Sequence, residues 1–174
     1  MEIVKLDKKI YAGKKFKAQY ITNGYFDIRS FDGTFTFKYV SFKKPIEKSF
    51  EDTFFGGWLE NPVAYGAFEN NELIGYVEGS IESWNNRFRI SNICIFDKTK
   101  RNLGIGTKLI NIMLEVAKSF KARMVVLETQ TCNESAIAFY KKYGFEIIGF
   151  DLYSYSNDDL GNHEVRIEMG KKLL

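Results

Sequence analysis

Apolar and polar residues alternate through the middle of the chain, from residue 63 to residue 96. The stretch PVAYGAFENNELIGYVEGSIESWNNRFRISNICIF predicts three strands at about 63–69, 72–82 and 87–96. Asparagine pairs at 70–71 and 85–86 separate the strands, and asparagine is favoured in tight hairpin turns. The pattern therefore predicts an antiparallel meander.

A helical pattern follows the meander after a short glycine-containing loop. Apolar residues recur every three or four positions and predict a helix whose core face comprises Leu109, Ile112, Met113, Val116, Ala117 and Phe120. ARMVVLETQ then predicts a buried strand. Asn133 is placed to cap a second helix, and Gly144 is placed to end it.

The chain closes with FEIIGFDLYSYS and HEVRIEMGKKL, which predict a hairpin. The predicted order is three strands, a helix, a strand, a helix and two strands, which indicates an α+β protein with a mixed sheet.

The first third of the chain is less regular. TFTFKYVSF, residues 34–42, alternates like a strand, and IEKSFEDTFFGGWL, residues 46–59, predicts a helix stopped by Gly56-Gly57.

Composition restricts the protein to a few classes. With 174 residues, 45% hydrophobic and 16% aromatic, the chain is long enough for one domain, 1–174, and has no linker-like or repeated segment. Its N-terminus lacks the apolar region of a signal peptide, and no run approaches the roughly 18 apolar residues of a membrane span. We therefore expect a cytoplasmic protein without a membrane partner.

Charge and cysteine content exclude further classes. Residues 1–50 hold 11 Lys/Arg against 5 Asp/Glu, and the remaining residues 14 against 17, for a net charge of +3. The basic third either meets ligand phosphates or is a solvated face, and no nucleic-acid-binding motif accompanies it. Cys94 and Cys132 are expected to be reduced, and no metal site is expected. His163 is expected on the surface or in a hairpin, although a Cys-His nucleophile pair stays an alternative.

Two glycines stand just before the helix predicted after the meander, in DKTKRNLGIGTKLINIML. Glycine allows close backbone approach and the first amides of a helix lack intrahelical partners, so Arg101, Gly104, Gly106 and Thr107 can form an anion cradle. The spacing R-x-x-G-x-G fits neither a P-loop nor a dinucleotide fingerprint. The alternative is that the glycines only make a tight connection.

A second motif lies about 30 residues further on, N-x-x-A-x-x-F-Y-x-x-x-G-F, formed by Asn133, Ala136, Phe139, Tyr140, Gly144 and Phe145. Together the two motifs, in this order of elements, resemble the GCN5-related N-acetyltransferase (GNAT) superfamily from roughly Pro62 to the C-terminus. The resemblance implies an α+β fold with a mixed, mostly antiparallel central sheet flanked by helices. It also implies a splayed strand pair that holds acetyl-CoA.

Three stretches are similar to the streptothricin acetyltransferases, which acetylate an amine of that antibiotic: SWNNRFRISNICI, VLETQTCNESAIAFY and GFDLYSYSND. The resemblance implies acetyl-CoA as cosubstrate and assigns its contacts residue by residue. The loop is expected to bind the pyrophosphate, and the strand at 93–95 is expected to pair with the pantetheine arm. The expected acetyl-CoA contacts are Ile93, Cys94, Ile95, Arg101, Asn102, Leu103, Gly104, Ile105, Gly106, Thr107, Asn133, Ala136 and Tyr140.

Acetyl transfer needs a neutral amine, yet a lysine-type amine is only about one part in two thousand neutral at pH 7. Tyr140 matches the family position of the acid that protonates the leaving thiolate. The other interpretation of Tyr140 is a core aromatic residue. Asn133 can be a plain helix cap, a pantetheine contact or both.

The base is harder to assign, because the related enzymes tend to carry an acidic residue where this chain has Ser91 and Asn92. Glu128, Glu82 and Glu78 are candidates for the base or for ammonium binding, and Glu128 is preferred. Deprotonation through water is equally compatible with the sequence.

The leading hypothesis is an acetyl-CoA-dependent N-acetyltransferase acting on a small cationic amine such as a streptothricin. The alternative acceptors are a polyamine, an amino sugar or a protein amine. A non-catalytic acyl-CoA-binding sensor is an alternative from another class. The sequence is compatible with a monomer or a homodimer.

Overall fold

The computed structural model describes residues 1–173, which form nine strands and three α-helices. In chain order these are β1 (Glu2–Lys5), α1 (Lys8–Tyr11), β2 (Lys15–Phe31), β3 (Thr34–Thr53), β4 (Val63–Glu69), β5 (Glu72–Glu82), β6 (Arg87–Ile95), α2 (Ile105–Ser119), β7 (Met124–Gln130), α3 (Glu134–Lys142), β8 (Glu146–Asp151) and β9 (Arg166–Lys172). From residue 63 onwards the predicted order of elements is confirmed. Among residues 1–173, no helix has the length and apolar content needed to cross a bilayer.

Two compact units interleave along the chain. The first consists of residues 1–19, 49–126 and those from Lys172 onwards, and the second of residues 20–48 and 127–171. Four strands, β2, β3, β7 and β9, begin in one unit and end in the other. The single domain over residues 1–174 therefore stays a prediction.

The first unit is built on the predicted meander. β1, β4, β5 and β6 are hydrogen-bonded in that order, and each neighbouring pair is antiparallel. Asn70 and Asn71 join β4 to β5 with φ of 50° and 64°, left-handed values that a tight hairpin turn requires and asparagine tolerates. α2 packs against β4, β5 and β6.

The buried face of α2 differs from the predicted one. Its buried residues are Ile105, Leu109, Ile110, Met113, Leu114 and Ala117. Ile112 and Val116 are only half-buried, and Phe120 is 39% exposed, so the prediction that Phe120 lies in the core is wrong. Apolar residues occupy most positions of this helix, so periodicity alone does not define a narrow face, and contact with the sheet decides which residues are buried.

Aromatic rings close the core of the first unit. Phe16, Phe54 and Tyr76 are buried, and the ring centroids of Phe54 and Tyr76 lie 4.5 Å apart in an edge-to-face arrangement. Phe16 meets the same two rings at 5.0 Å and 5.5 Å. Such pairs stabilise a core beyond their buried area. They hold the segment that follows β3 against β5.

The second unit contains α3 and the predicted closing hairpin. β8 and β9 pair antiparallel, and β9 is the neighbour of both β8 and β7. Asn133 caps α3 as predicted, because its Oδ1 accepts from the Ala136 N–H at 3.3 Å. Gly144 follows the helix with φ of 80°, which confirms the predicted end.

The helix predicted at residues 46–59 is absent from the described chain. Residues up to Thr53 belong to β3, and turns follow from Phe54. Ile46, Phe50 and Phe54 are four positions apart, a spacing that shares one face in a helix and also in a strand. The segment forms a strand because it pairs with β2 in a two-stranded sheet, and local periodicity does not contain that information.

Candidate active site

The glycine-rich loop lies at the start of α2 in the first unit. Gly104 is the N-cap residue with φ of 80° and ψ of 4°, a left-handed conformation that favours glycine. It supplies no side-chain acceptor to the helix, whose N-terminus is the positive end of the dipole. A Cβ atom at Gly104 would meet no atom within 4 Å, so the space beside the backbone is open. This geometry fits an anion cradle.

Arg101 is directed towards the backbone. Its Nη2 donates to the carbonyl oxygens of Gln19 and Ile95, the latter at 3.2 Å. The guanidinium therefore fastens the loop to the end of β6. Asn102 has φ of 62° and Leu103 is 65% exposed, so the backbone turns outward before the helix begins.

The predicted pantetheine strand lies at the end of β6. Ile93, Cys94 and Ile95 are half-buried and pair with Val77, Tyr76 and Gly75 of β5. Burial raises the pKa of Cys94 to about 12, and nearby Arg101 only partly opposes the increase. Cys94 and Cys132 are both free thiols, as predicted. A neutral thiol is a weak nucleophile, which disfavours Cys94 in that role.

β6 bulges next to Glu78. Glu78 pairs with Asn92 and Gly79 pairs with Ile90, so Ser91 is the extra residue. A Cβ atom on Gly79 would lie 2.8 Å from the Arg89 carbonyl oxygen, a contact that only glycine avoids. The Ser91 Oγ donates to the Glu78 carbonyl oxygen at 3.3 Å and lies 3.5 Å from Oε2 of the same residue.

Glu78 is a buried acid. Its side chain is 0% exposed, and Oε1 has no hydrogen-bond partner among residues 1–173. Burial raises the pKa of Glu78 to about 7 and the charge of Asp52 adds to the increase, whereas Tyr76, the Phe55 backbone and Ser91 oppose it. The carboxyl group therefore exchanges its proton near neutral pH.

A second carboxylate reaches the same strand from the end of β3. Asn92 Nδ2 donates to Oδ2 of Asp52 at 2.9 Å, and Thr53 N–H donates to Oδ1 at 2.7 Å. Phe55, three residues further on, is buried with φ of 55°, a conformation that costs energy in a non-glycine residue. An acid from another strand thus lies beside Asn92, the position where the sequence lacks one.

Glu82 is engaged in ion pairs. Arg89 Nε lies 2.5 Å from its Oε1 and Arg87 Nε lies 3.0 Å from its Oε2. Burial would raise the pKa of Glu82, but the two arginines outweigh it and lower the pKa. A paired carboxylate with a lowered pKa is a poor proton acceptor at neutral pH.

The second unit carries the remaining predicted residues. Tyr140 on α3 is 7% exposed, and its ring centroid lies 5.6 Å from that of Phe139 and 6.1 Å from that of Phe145. Ala136 is half-buried one turn before it. Asn133 therefore caps the helix that carries Ala136 and Tyr140, whether their role is packing or binding.

Glu128 on β7 already has partners. Arg166 Nη2 lies 2.8 Å from Oε2, and the Tyr155 hydroxyl donates to Oε1 at 3.4 Å. Any ammonium that binds Glu128 has to share it with Arg166. The sequence indicates Glu78 as one of three candidate acids but does not indicate Asp52, which lies in the segment 46–59 that was wrongly predicted as a helix.

The chain is similar to known acetyltransferases in sequence. The sequence profile described as "Acetyltransferase (GNAT) family" matches residues 30–145. Streptothricin acetyltransferase of Escherichia coli is 36% identical over 96 residues, which cover 55% of this chain and 54% of that protein. Streptothricin acetyltransferase A of Bacillus subtilis (strain 168) is 32% identical over 134 residues, 75% of this chain and 76% of that protein. The match thus spans about half of one relative and three quarters of the other.

Two solved structures match almost the whole chain. The crystal structure of nourseothricin acetyltransferase superposes with a TM-score of 0.79 at 22% identity, covering 99% of this chain and 98% of that one. A putative streptothricin acetyltransferase from Bacillus anthracis str. Ames, in complex with acetyl coenzyme A, gives 0.74 at 25% identity, covering 99% and 97%. These matches confirm the predicted α+β fold with a mixed, mostly antiparallel sheet flanked by helices.

Proposed function

The chain belongs to the acetyltransferase (GNAT) family, and from that premise we propose that it is an acetyl-CoA-dependent N-acetyltransferase whose acceptor is a primary amine of a streptothricin-like antibiotic. The similarity to Streptothricin acetyltransferase A over three quarters of both chains carries the proposal. The related structure in complex with acetyl coenzyme A supports the cosubstrate.

The loop at the start of α2 is proposed to bind the pyrophosphate of acetyl-CoA. The open space beside Gly104 and the positive end of the helix support this role. The backbone of Arg101 to Thr107 would supply the donors, while the Arg101 side chain keeps the loop in place. No metal is part of the proposal.

The end of β6 is proposed to pair with the pantetheine arm. Backbone groups of Ile93, Cys94 and Ile95 would bind this peptide-like segment as an added strand does. On α3, the side-chain amide of Asn133 and the small side chain of Ala136 would make further contacts. Tyr140 is the residue proposed to act on the sulfur.

The chemistry is proton removal, attack and proton return. The neutral amine attacks the acetyl carbon, an amide bond forms and the C–S bond breaks. Tyr140 is proposed to donate its hydroxyl proton to the departing thiolate, which leaves as a thiol. The ammonium has to lose one proton before attack, and the nitrogen loses a second proton to solvent as the amide forms. Solvent restores the tyrosine proton afterwards.

Glu128 is proposed to contact the cationic acceptor. Its position on β7 and its half-buried carboxylate, 35% accessible, allow such a contact beside Arg166. The acceptor is a small-molecule amine in this proposal, and a cytoplasmic monomer or homodimer is expected. A polyamine, an amino sugar or a protein amine is the alternative acceptor, and an acyl-CoA sensor is the non-catalytic alternative.

Acetyl transfer to a streptothricin tests the proposal directly. Purified protein should release CoA from acetyl-CoA at micromolar streptothricin, and a sensitive bacterium that expresses it should survive the drug. A strain that expresses Gly106→Asp at the same level is the matched control. Faster turnover on spermidine or a peptide amine, without protection, would reject the antibiotic as acceptor. Tight acetyl-CoA binding without turnover on any amine would favour the sensor.

A further inference from the structure

Polar side chains from three strands meet at the bulge of β6. Asp52 comes from β3, Glu78 from β5, and Ser91 and Asn92 from β6 itself. Asn92 holds Asp52 at 2.9 Å, and the Ser91 Oγ lies 3.5 Å from Oε2 of Glu78. The bulge brings Ser91 and Asn92 to the two carboxyl groups.

This cluster has negative charge without a matching cation. Within the described chain, neither Asp52 nor Glu78 forms an ion pair with a lysine or an arginine. By contrast, Glu82 on the same strand as Glu78 is paired with two arginines. A positively charged ligand would complete the cluster electrostatically.

A second observation points to a ligand independently of the charge. Glu78 is 0% exposed and its Oε1 has no hydrogen-bond partner among the described residues, so the carboxyl group is buried at a cost. The hydroxyl of Tyr76 interacts electrostatically with Glu78 and is itself buried without a hydrogen-bond partner among the described residues. Unsatisfied buried acids of this kind are concentrated at functional sites.

The geometry points to an ammonium site with an internal proton acceptor: Asp52 binds the primary ammonium of the acceptor, and Glu78 receives its proton through the Ser91 hydroxyl. This inference rests on the proposed function and names the base that the sequence does not supply at Asn92. Asn92 keeps a part in the site because it orients the Asp52 carboxylate.

The transfer balances in one concerted step. An N–H proton of the ammonium passes to Ser91 Oγ while the Ser91 hydroxyl proton passes to Oε2 of Glu78. The N–H bond electrons remain on nitrogen as the lone pair that attacks the acetyl carbon, serine ends neutral, and Glu78 ends protonated. Ser91 is half-buried and can contact a substrate, whereas Glu78 cannot be reached directly.

The neighbouring titratable groups leave Glu78 as the proton acceptor near neutral pH. Tyr76 on β5 and Asp52 on β3 interact with Glu78 electrostatically. Cys94 on β6 interacts in turn with Tyr76 and with Asp52. Burial raises the pKa of Tyr76 far above neutral and that of Cys94 to about 12, so both stay protonated. The pKa of Glu78, raised to about 7 by burial, suits a base that works at neutral pH.

Kinetics of three variants test the relay. Glu78→Gln should lower kcat/KM for the amine by about 10²-fold and abolish its increase with pH around 7, with the Kd for acetyl-CoA unchanged. Ser91→Ala should lower kcat similarly, and Ser91→Thr, which keeps a hydroxyl, should restore most of it. Asp52→Asn should mainly raise KM for the amine. Glu72→Gln, on the exposed part of β5, is the matched control and should behave as wild type.

The results separate this inference from the proposed function. If the wild-type protein acetylates no amine, the proposed function fails. The ammonium site can still be tested in that case, because an NMR titration of Glu78 does not need turnover. The carbon-13 signal of the Glu78 carboxyl group should titrate near pH 7 and shift with lysinamide in wild type but not in Asp52→Asn. An active wild type whose pH profile survives Glu78→Gln, or equal activities of Ser91→Ala and Ser91→Thr, would overturn the relay.

Discussion

A single buried carboxyl group makes the stability of this protein depend on pH. The pKa of Glu78 is about 7 in the folded chain against an ordinary value of 4.5. Between these pH values the folded protein keeps a proton that the unfolded chain releases. Stability from this group is therefore greatest below pH 4.5, falls as pH rises to about 7 and is constant above.

Glu78→Gln should remove this dependence. The difference in free energy of unfolding, variant minus wild type, should be about 2–3 kcal/mol more positive at pH 8 than at pH 5, because the amide never ionises. Urea denaturation at both pH values measures the difference. Glu72→Gln should show none. An equal effect of Glu78→Gln at the two pH values would mean that the acid ionises normally.

Tyr140→Phe isolates the hydroxyl group from the ring. The ring contacts with Phe139 and Phe145 should persist, so the fold and the affinity for acetyl-CoA should change little. Turnover should fall by roughly 10²-fold, because no acid remains for the thiolate. Steady-state kinetics and calorimetry measure the two effects, and Tyr143→Phe on the following turn is the control. Full activity across pH in Tyr140→Phe would make Tyr140 a packing residue.

Glu128→Gln tests acceptor binding in the presence of a competing arginine. If Glu128 holds the cationic amine, KM for a streptothricin should rise about twofold to fivefold while acetyl-CoA affinity is unchanged, since one partly exposed ion pair contributes up to about 1 kcal/mol. Arg166→Gln is the matched variant, because it removes the same ion pair and leaves the carboxylate. If the two variants behave identically, Glu128 acts only through its ion pair with Arg166 and does not bind the amine.

At the scale of elements, the N-terminus of α2 is the part on which acetyl-CoA binding depends. Gly106→Asp places a side chain and a negative charge in the first turn, so calorimetry should detect no acetyl-CoA binding. Gly149→Asp on β8 introduces the same side chain where a Cβ atom meets nothing within 4 Å, and it should bind normally. Unchanged affinity in a folded Gly106→Asp would remove the loop from the site.

The elements differ in how far the sequence could predict them. β4, β5 and β6 are marked by alternation and by asparagine turns, and α3 by its cap and terminal glycine, so local chemistry specifies each of them. β3 lacks such marks, because a four-residue spacing suits helix and strand alike and its partner β2 decides. Motif residues such as Gly104 and Asn133 were predictable for the same reason. Asp52 was not, since it meets Asn92 from a position 40 residues earlier.

At the scale of the whole molecule, one free thiol lies in each compact unit, Cys94 in the first and Cys132 in the second. A single domain should unfold as one cooperative system. Pulsed alkylation of native protein at increasing urea, with the two thiols resolved by mass spectrometry, should therefore give coincident midpoints. A control in full denaturant sets the intrinsic labelling rates. Separate midpoints would contradict the single domain.

The interleaving of the two units also concerns inheritance. Each unit is assembled from separate stretches of chain, residues 20–48 and 127–171 in one case and the flanking stretches in the other. A single crossover between two related genes therefore cannot exchange one unit intact, and every hybrid made this way mixes parts of both. We expect relatives of this protein to diverge in acceptor choice mainly by substitution of individual residues, such as Asn92, which donates to Asp52. Exchange of a whole unit is not expected to contribute.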